Sequence, residues 1–257
     1  MDEGRAADKT CLIFGAGHYY DESTPLPAHD FLIAADGGAD HARQAGLLPD
    51  ITVGDFDSIT AAPAIDGSHI ALPAEKDDTD MMAALKLGWE HGYRRFHIYG
   101  GLGGRIDHSI ANVATLCLLA QSGGVGVLHG EGTAVSAICK GRLSFPAWDC
   151  TAGTMFSAFS ASDCARGVSE QGFKYELDHA SMDMVMSEGS GVSNEFISNQ
   201  PAQVSVEQGT LIVTYPLCAP EPIWHSQQPA VPSLGHLDEH VSTHLRAART
   251  TPSSSEQ

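Results

Sequence analysis

Short apolar runs broken by glycine and aspartate fill the first half of this chain. Residues 11–15, 31–35, 51–53, 69–72, 95–99 and 125–128 are each a few residues long, rich in Ile, Leu, Val and Phe, and bounded by turn residues. That pattern predicts buried strands. Between them lie segments with helical spacing. Residues 40–45 predict a short helix ended by Gly46. Residues 78–91 carry Met81, Met82, Leu85 and Trp89 on one helical face and stop at Gly92. Residues 107–121 predict a longer apolar helix. Strands alternating with helices imply βαβ units, hence a doubly wound, mostly parallel α/β sheet.

The pattern changes near residue 130. Segments 134–138, 142–145, 154–159, 173–177, 203–206 and 211–215 are short and rich in Ser, Thr, Phe and Val, without helical periodicity. They predict a smaller all-β sandwich. The expected organisation is an α/β domain over residues 10–132, a β-sandwich over 133–217, and a disordered tail over 218–257, where Pro, Ser, Gln and His dominate. His236, His240 and His244 recur every fourth residue there and are read as incidental to that tail.

Charge narrows the function. The 257 residues carry a formal net charge of −18, against nucleic-acid or anionic-membrane partners, which need clustered Lys and Arg. No apolar stretch reaches transmembrane length. The opening Met1-Asp2-Glu3-Gly4-Arg5 lacks the basic and apolar regions of a signal peptide. Six scattered cysteines form no Cys-x-x-Cys pair. A soluble protein of the reducing cytoplasm is expected.

The candidate chemistry sits where predicted strands end, where ligands of open α/β sheets bind. Asp36-Gly37-Gly38 follows the second strand. Gly54-Asp55-Phe56-Asp57-Ser58 follows the third; an extended segment would turn Asp55 and Asp57 to one face, as hard-cation ligands or as a solvated turn. Lys76-Asp77-Asp78-Thr79-Asp80 opens a helix, where the carboxylates either cap it or serve a cation, and Lys76 can touch a phosphate. Gly100 to His108 is a glycine-rich loop with Arg105, Asp107 and His108, able to cradle phosphate, but without the Gly-Lys-Ser/Thr ending of a Walker loop.

Taken in this order, the four motifs resemble the thiamine pyrophosphokinase family. Gly172-Phe173-Lys174-Tyr175-Glu176-Leu177 and Gly191-Val192-Ser193-Asn194-Glu195-Phe196 are similar to that family's downstream segments. The resemblance spans roughly residues 10 to 217. It implies transfer of the pyrophosphoryl group of ATP to thiamine, giving thiamine diphosphate and AMP, in a homodimer with active sites at the subunit interface. It implies that Asp55, Asp57, Asp77 and Asp80 hold Mg²⁺ on the ATP phosphates. With Arg105 these make the expected catalytic set. Asp36, Lys76, Arg105, Asp107 and His108 would line the nucleotide region, and Ser193 and Asn194 would face thiamine. Some members place a tryptophan in the last strand. Here residues 211–215 carry none, and Trp224 lies beyond them. Three other readings compete: a pyrophosphokinase for another alcohol such as a hydroxymethylpterin, a non-catalytic binder of thiamine or nucleotide, and a phosphatase with an Asp-x-Asp nucleophile.

Overall fold

The computed structural model describes residues 9–20, 25–55, 68–73, 76–185, 191–238 and 240. Its first half contains β1 (Thr10–Phe14), β2 (Phe31–Ala35), α1 (Gly38–Gln44), β3 (Ile51–Gly54), β4 (Ser68–Ala71), α2 (Asp80–Glu90), β5 (Arg95–Tyr99), α3 (Ile106–Gln121) and β6 (Val125–His129). These six strands are parallel, in the order β4-β3-β2-β1-β5-β6. The chain steps outward from β1 to β4, then crosses back to lay β5 against the other side of β1. The strand order therefore reverses between β1 and β5, the switch point where such sheets open a crevice.

Alternation along each strand serves two layers. Cys11 and Ile13 join Phe96, Leu85, Trp89 and Leu116 under α2 and α3. Leu12 and Phe14 join Leu32 and Ala42 under α1. Helices thus cover both faces, as the doubly wound reading requires. Thr79 caps α2, its Oγ1 accepting from Met82 N at 3.2 Å. That cap explains why the helix begins two residues after the residue 78 that periodicity suggested.

The second half holds β7 (Thr133–Phe145), β8 (Met155–Ser160), β9 (Cys164–Gln171), β10 (Leu177–Asp183), β11 (Gly191–Glu195), β12 (Ala202–Pro216) and β13 (Ile223–Ser226). β12 pairs with β7 along its length, while its other edge takes β9 over its first part and β8 over its last. A register break between Val206 and Thr210 separates the two parts. One long strand thereby feeds both layers of the sandwich. Phe145, Phe156, Phe173, Phe196 and Tyr215 fill the space between.

The boundary at residue 133 falls on a shared element. Antiparallel pairing of β6 with β7 makes the two halves one sheet. On β7, Val135, Ala137 and Cys139 face the first core, whereas Ala134, Ile138 and Leu143 face the second.

Several expectations need correction. Segments 134–138 and 142–145 are one strand, because β12 pairs with β7 on both sides of Lys140, with a register shift between the Val206–Gly141 and Thr210–Cys139 pairs. Segment 173–177 is not a strand; Phe173 makes only an isolated bridge to Phe196. β9 escaped notice because Arg166-Gly167 breaks its apolar alternation. Residues 218–238 are not disordered. β13 adds to the edge of β7, and Val231, Leu234 and Leu237 then pack onto the α/β core. Trp89 Nε1 donates to Val231 O at 3.0 Å, and Val231 N donates to Ser122 O at 3.0 Å. The polar composition concealed a few well-spaced apolar anchors. All six cysteines are unpaired, and no helix among the described residues is long and apolar enough to cross a membrane.

Candidate active site

A cleft of about 730 Å³ opens beyond the carboxyl ends of β1, β2, β3 and β5, at the switch point. Its floor is backbone. Gly15 N donates to Tyr99 O at 2.8 Å and Gly17 N to Gly100 O at 3.0 Å, joining the loops after β1 and β5. A Cβ on Gly17 would lie 2.4 Å from Gly100 O, so only glycine allows this approach.

Each wall comes from one of the four motifs. Asp36 enters after β2 with a left-handed backbone (φ 49°) that aspartate tolerates better than most residues. Asp55 enters directly after β3. Lys76, Asp78, Thr79, Asp80 and Met81 come from the start of α2. Gly100 to Gly104, Arg105, and His108 on the first turns of α3 close the far side. The structure therefore gathers Asp36, Asp55, Lys76, Asp80, Arg105 and His108 around one cleft.

The charges inside are partly matched. Lys76 Nζ donates to Pro73 O at 3.2 Å, and its side chain is only 5% exposed. Asp80 Oδ1 sits 2.9 Å from that ammonium, close enough for an ion pair but off the line of a hydrogen bond, so this buried oxygen accepts none among the described residues. At the rim, Arg105 grips Asp107 through two bonds, Nε to Oδ1 at 3.2 Å and a terminal nitrogen to Oδ2 at 2.5 Å. That grip pulls the Asp107 carboxyl down to about 2.

Other expected residues stand elsewhere. Asp57 lies outside the described residues. Asp77 does not line the cleft; its backbone N–H donates to Asp238 Oδ2 at 2.8 Å. Asp107 does not line it either and instead holds Arg105. Ser193 and Asn194 belong to β11 of the sandwich, away from this cleft. Ser193 is exposed, its N–H donating to Ser157 Oγ at 3.1 Å. Asn194 is buried and fully used. Its Oδ1 accepts from Tyr175 N (3.0 Å) and Glu195 N (2.9 Å), and its Nδ2 donates to Glu170 Oε2 (2.6 Å) and Tyr175 O (2.7 Å). That exhausts an amide's capacity. Asn194 therefore pins the 173–177 segment, and its amide hydrogen bonds are all spent within the sandwich. Trp224, on β13, packs partly against the sandwich core.

Sequence reasoning passed over His18 and Asn112, which also line the cleft. Asn112 Nδ2 donates to Gly101 O at 2.7 Å and fixes the glycine-rich loop. Its spacing of four from His108, on an otherwise apolar helix, was the available signal.

The donor set suits a hard divalent ion. Carboxylate oxygens are its preferred ligands, and the buried Asp80 Oδ1 accepts no hydrogen bond among the described residues. Among the described residues no three His, Cys, Asp or Glu side chains converge closely enough to hold an ion. Mg²⁺ is usually held by one or two carboxylates together with substrate phosphates, so this arrangement fits it.

Comparison with known proteins agrees with the motifs. The family model described as thiamin pyrophosphokinase, catalytic domain, matches residues 25–125, and the model of the thiamin pyrophosphokinase vitamin B1 binding domain matches residues 149–211. A thiamine pyrophosphokinase of Bacillus subtilis (strain 168) is 38% identical over 97 residues, which cover 34% of this chain and 44% of that protein. The crystal structure of thiamine pyrophosphokinase from Bacillus subtilis superposes with a TM-score of 0.69 at 25% identity, covering 81% of this chain and 99% of that one. A thiamin pyrophosphokinase family protein from Enterococcus faecalis gives 0.66 at 25% identity, with the same coverage of 81% and 99%.

Proposed function

The chain belongs to the thiamine pyrophosphokinase family, and on that premise we infer that it transfers the pyrophosphoryl group of ATP to thiamine, releasing AMP. The observation that carries this reading is the single cleft at the switch point that gathers Asp55, Asp78 and Asp80 with Lys76 and Arg105. Carboxylates and a triphosphate repel; unit charges 4 Å apart cost about 4 kcal/mol at an effective dielectric near 20. A bound Mg²⁺ supplies the positive charge that turns this repulsion into a bridge.

The chain's own residues do the rest. Asp55, Asp80 and, with them, Asp57 offer oxygens to the ion. The glycine floor, with no side chains on it, lets phosphate oxygens approach the backbone closely. Lys76 and Arg105 offset charge that develops on the transferred group and on AMP. The thiamine hydroxyl oxygen forms a bond to the β-phosphorus as the bond from that phosphorus to the AMP oxygen breaks. The hydroxyl proton leaves to water or to a nearby carboxylate. Such transfer depends mostly on positioning and charge stabilisation.

The thiamine site is completed across a homodimer. Ile106 and Ile110, beside the cleft on α3, are 77% and 66% exposed, and Tyr175, Val192 and Ile197 are exposed on the sandwich. Pairing these surfaces would bring Ser193 of the partner subunit toward the cleft. Six unpaired cysteines support a reducing, cytoplasmic setting.

Product analysis tests the reading. Incubation with ATP, Mg²⁺ and thiamine is expected to give thiamine diphosphate and AMP, and Asp80→Asn is expected to lower turnover roughly a hundredfold or more while keeping the wild-type circular dichroism spectrum. ADP as the nucleotide product would sink the pyrophosphoryl reading. A fully active Asp80→Asn enzyme would take Asp80 out of the site.

A further inference from the structure

The segment after β13 runs back across the α/β domain and reaches the segment 76–80 that borders the cleft. Val231, Leu234 and Leu237 anchor it on the core under α2 and α3. A Ser233–Gly235 turn then carries the chain over Lys86, with Gly235 N donating to Ser233 Oγ at 3.0 Å. Lys86 Nζ, on a side chain only 11% exposed, donates to His236 O at 2.8 Å and to Asp78 Oδ2 at 2.5 Å. Two residues on, Asp238 Oδ2 accepts the Asp77 N–H at 2.8 Å. Both ties end on the segment 76–80, which supplies Lys76, Asp78 and Asp80 to the cleft. Neither family model reaches past residue 211.

From these contacts we propose that residues 231–238 form a positioning strap that holds the acidic 76–80 segment in the arrangement that receives the metal–nucleotide complex. Asp238 is the distal tie and Lys86 the joint between strap and Asp78. The backbone of 76–80 precedes a helix, so its N–H groups lack helical partners, and a carboxylate from the strap supplies one. Loss of the tie loosens the segment and weakens nucleotide binding, without touching the sandwich. The role of the strap in ATP binding rests on the pyrophosphokinase reading; its role in ordering the segment does not.

The test uses the full chain with Asp238→Ala and Asp238→Asn. Amide hydrogen exchange of the 76–82 peptide should quicken in Asp238→Ala and stay near wild type in Asp238→Asn, whose amide oxygen still accepts from Asp77 N–H. Titration calorimetry with Mg²⁺ and a non-hydrolysable ATP analogue should show affinity falling about five- to tenfold in Asp238→Ala, with recovery in Asp238→Asn. KM for ATP should rise correspondingly while KM for thiamine holds. Unchanged exchange and unchanged affinity in Asp238→Ala would overturn the strap. Quickened exchange with a wild-type protein that binds no nucleotide would keep the ordering role and overturn the pyrophosphokinase reading and the nucleotide role of the strap together.

Discussion

Glu170 shows how one side chain can set the pH response of the sandwich. It is 1% exposed; its Oε2 accepts from Asn194 Nδ2, and its Oε1 has no hydrogen-bond partner among the described residues. Burial pushes its carboxyl up to about 7, against a smaller opposing pull from the Asn194 amide. The folded state then holds its proton more tightly than the unfolded chain. Its contribution is fully present below the ordinary glutamate range and is lost as pH rises through about 7. The span from 4.5 to about 7 corresponds to about 3 kcal/mol at most. Glu170→Gln keeps an acceptor for Asn194 and removes the titration. Between about pH 5 and pH 8 the wild type should lose several degrees of melting temperature to this group, and the variant correspondingly less. Equal losses in thermal scans of both proteins would exonerate Glu170.

At the scale of elements, the motif glycines matter because strands and helices meet at backbone distance. Gly38 opens α1, and a Cβ there would lie 1.9 Å from Phe14 O at the end of β1. No side-chain rotation relieves a clash with backbone. Gly38→Ala should destabilise the fold by roughly 2–4 kcal/mol, read as a lower urea midpoint. A midpoint within error of wild type would mean that α1 can shift away from β1. The same spacing explains why Asp36 arrives at the cleft: the turn that carries it is pressed between β1 and β3, with Asp36 N donating to Val53 O at 2.8 Å.

For the whole molecule, β7 is the element that makes two domains one body, since each of its faces serves a different core. The sandwich segment with Ser193 does not line the cleft of its own chain. The homodimer proposal resolves this by supplying that segment from a second copy. Light scattering should then give twice 27.1 kDa for the wild type. Ile106→Asp combined with Ile110→Asp should give the monomer mass, lose turnover of thiamine, and still bind Mg²⁺ and ATP. A wild-type monomer that turns over thiamine at full rate would remove the interface.

Strand runs, glycine turns and acidic strand ends were legible in the chain because periodicity and turn chemistry are local. Phe31 to Ala35 followed by Asp36-Gly37-Gly38 declares both a buried strand and the side chain at its tip. The α/β order, the sandwich and the candidate motifs followed from such readings and from the family resemblance. Tertiary structure alone decided which carboxylates share a cleft: Asp80 enters it, while Asp77, three positions earlier, turns its N–H to Asp238 across 161 residues of sequence. It alone showed that Asn194 spends every hydrogen bond inside the sandwich, and that a polar segment folds back through Val231, Leu234 and Leu237. Contacts between distant positions leave no periodic trace, so only the packed molecule can say which of several equivalent side chains meets a partner.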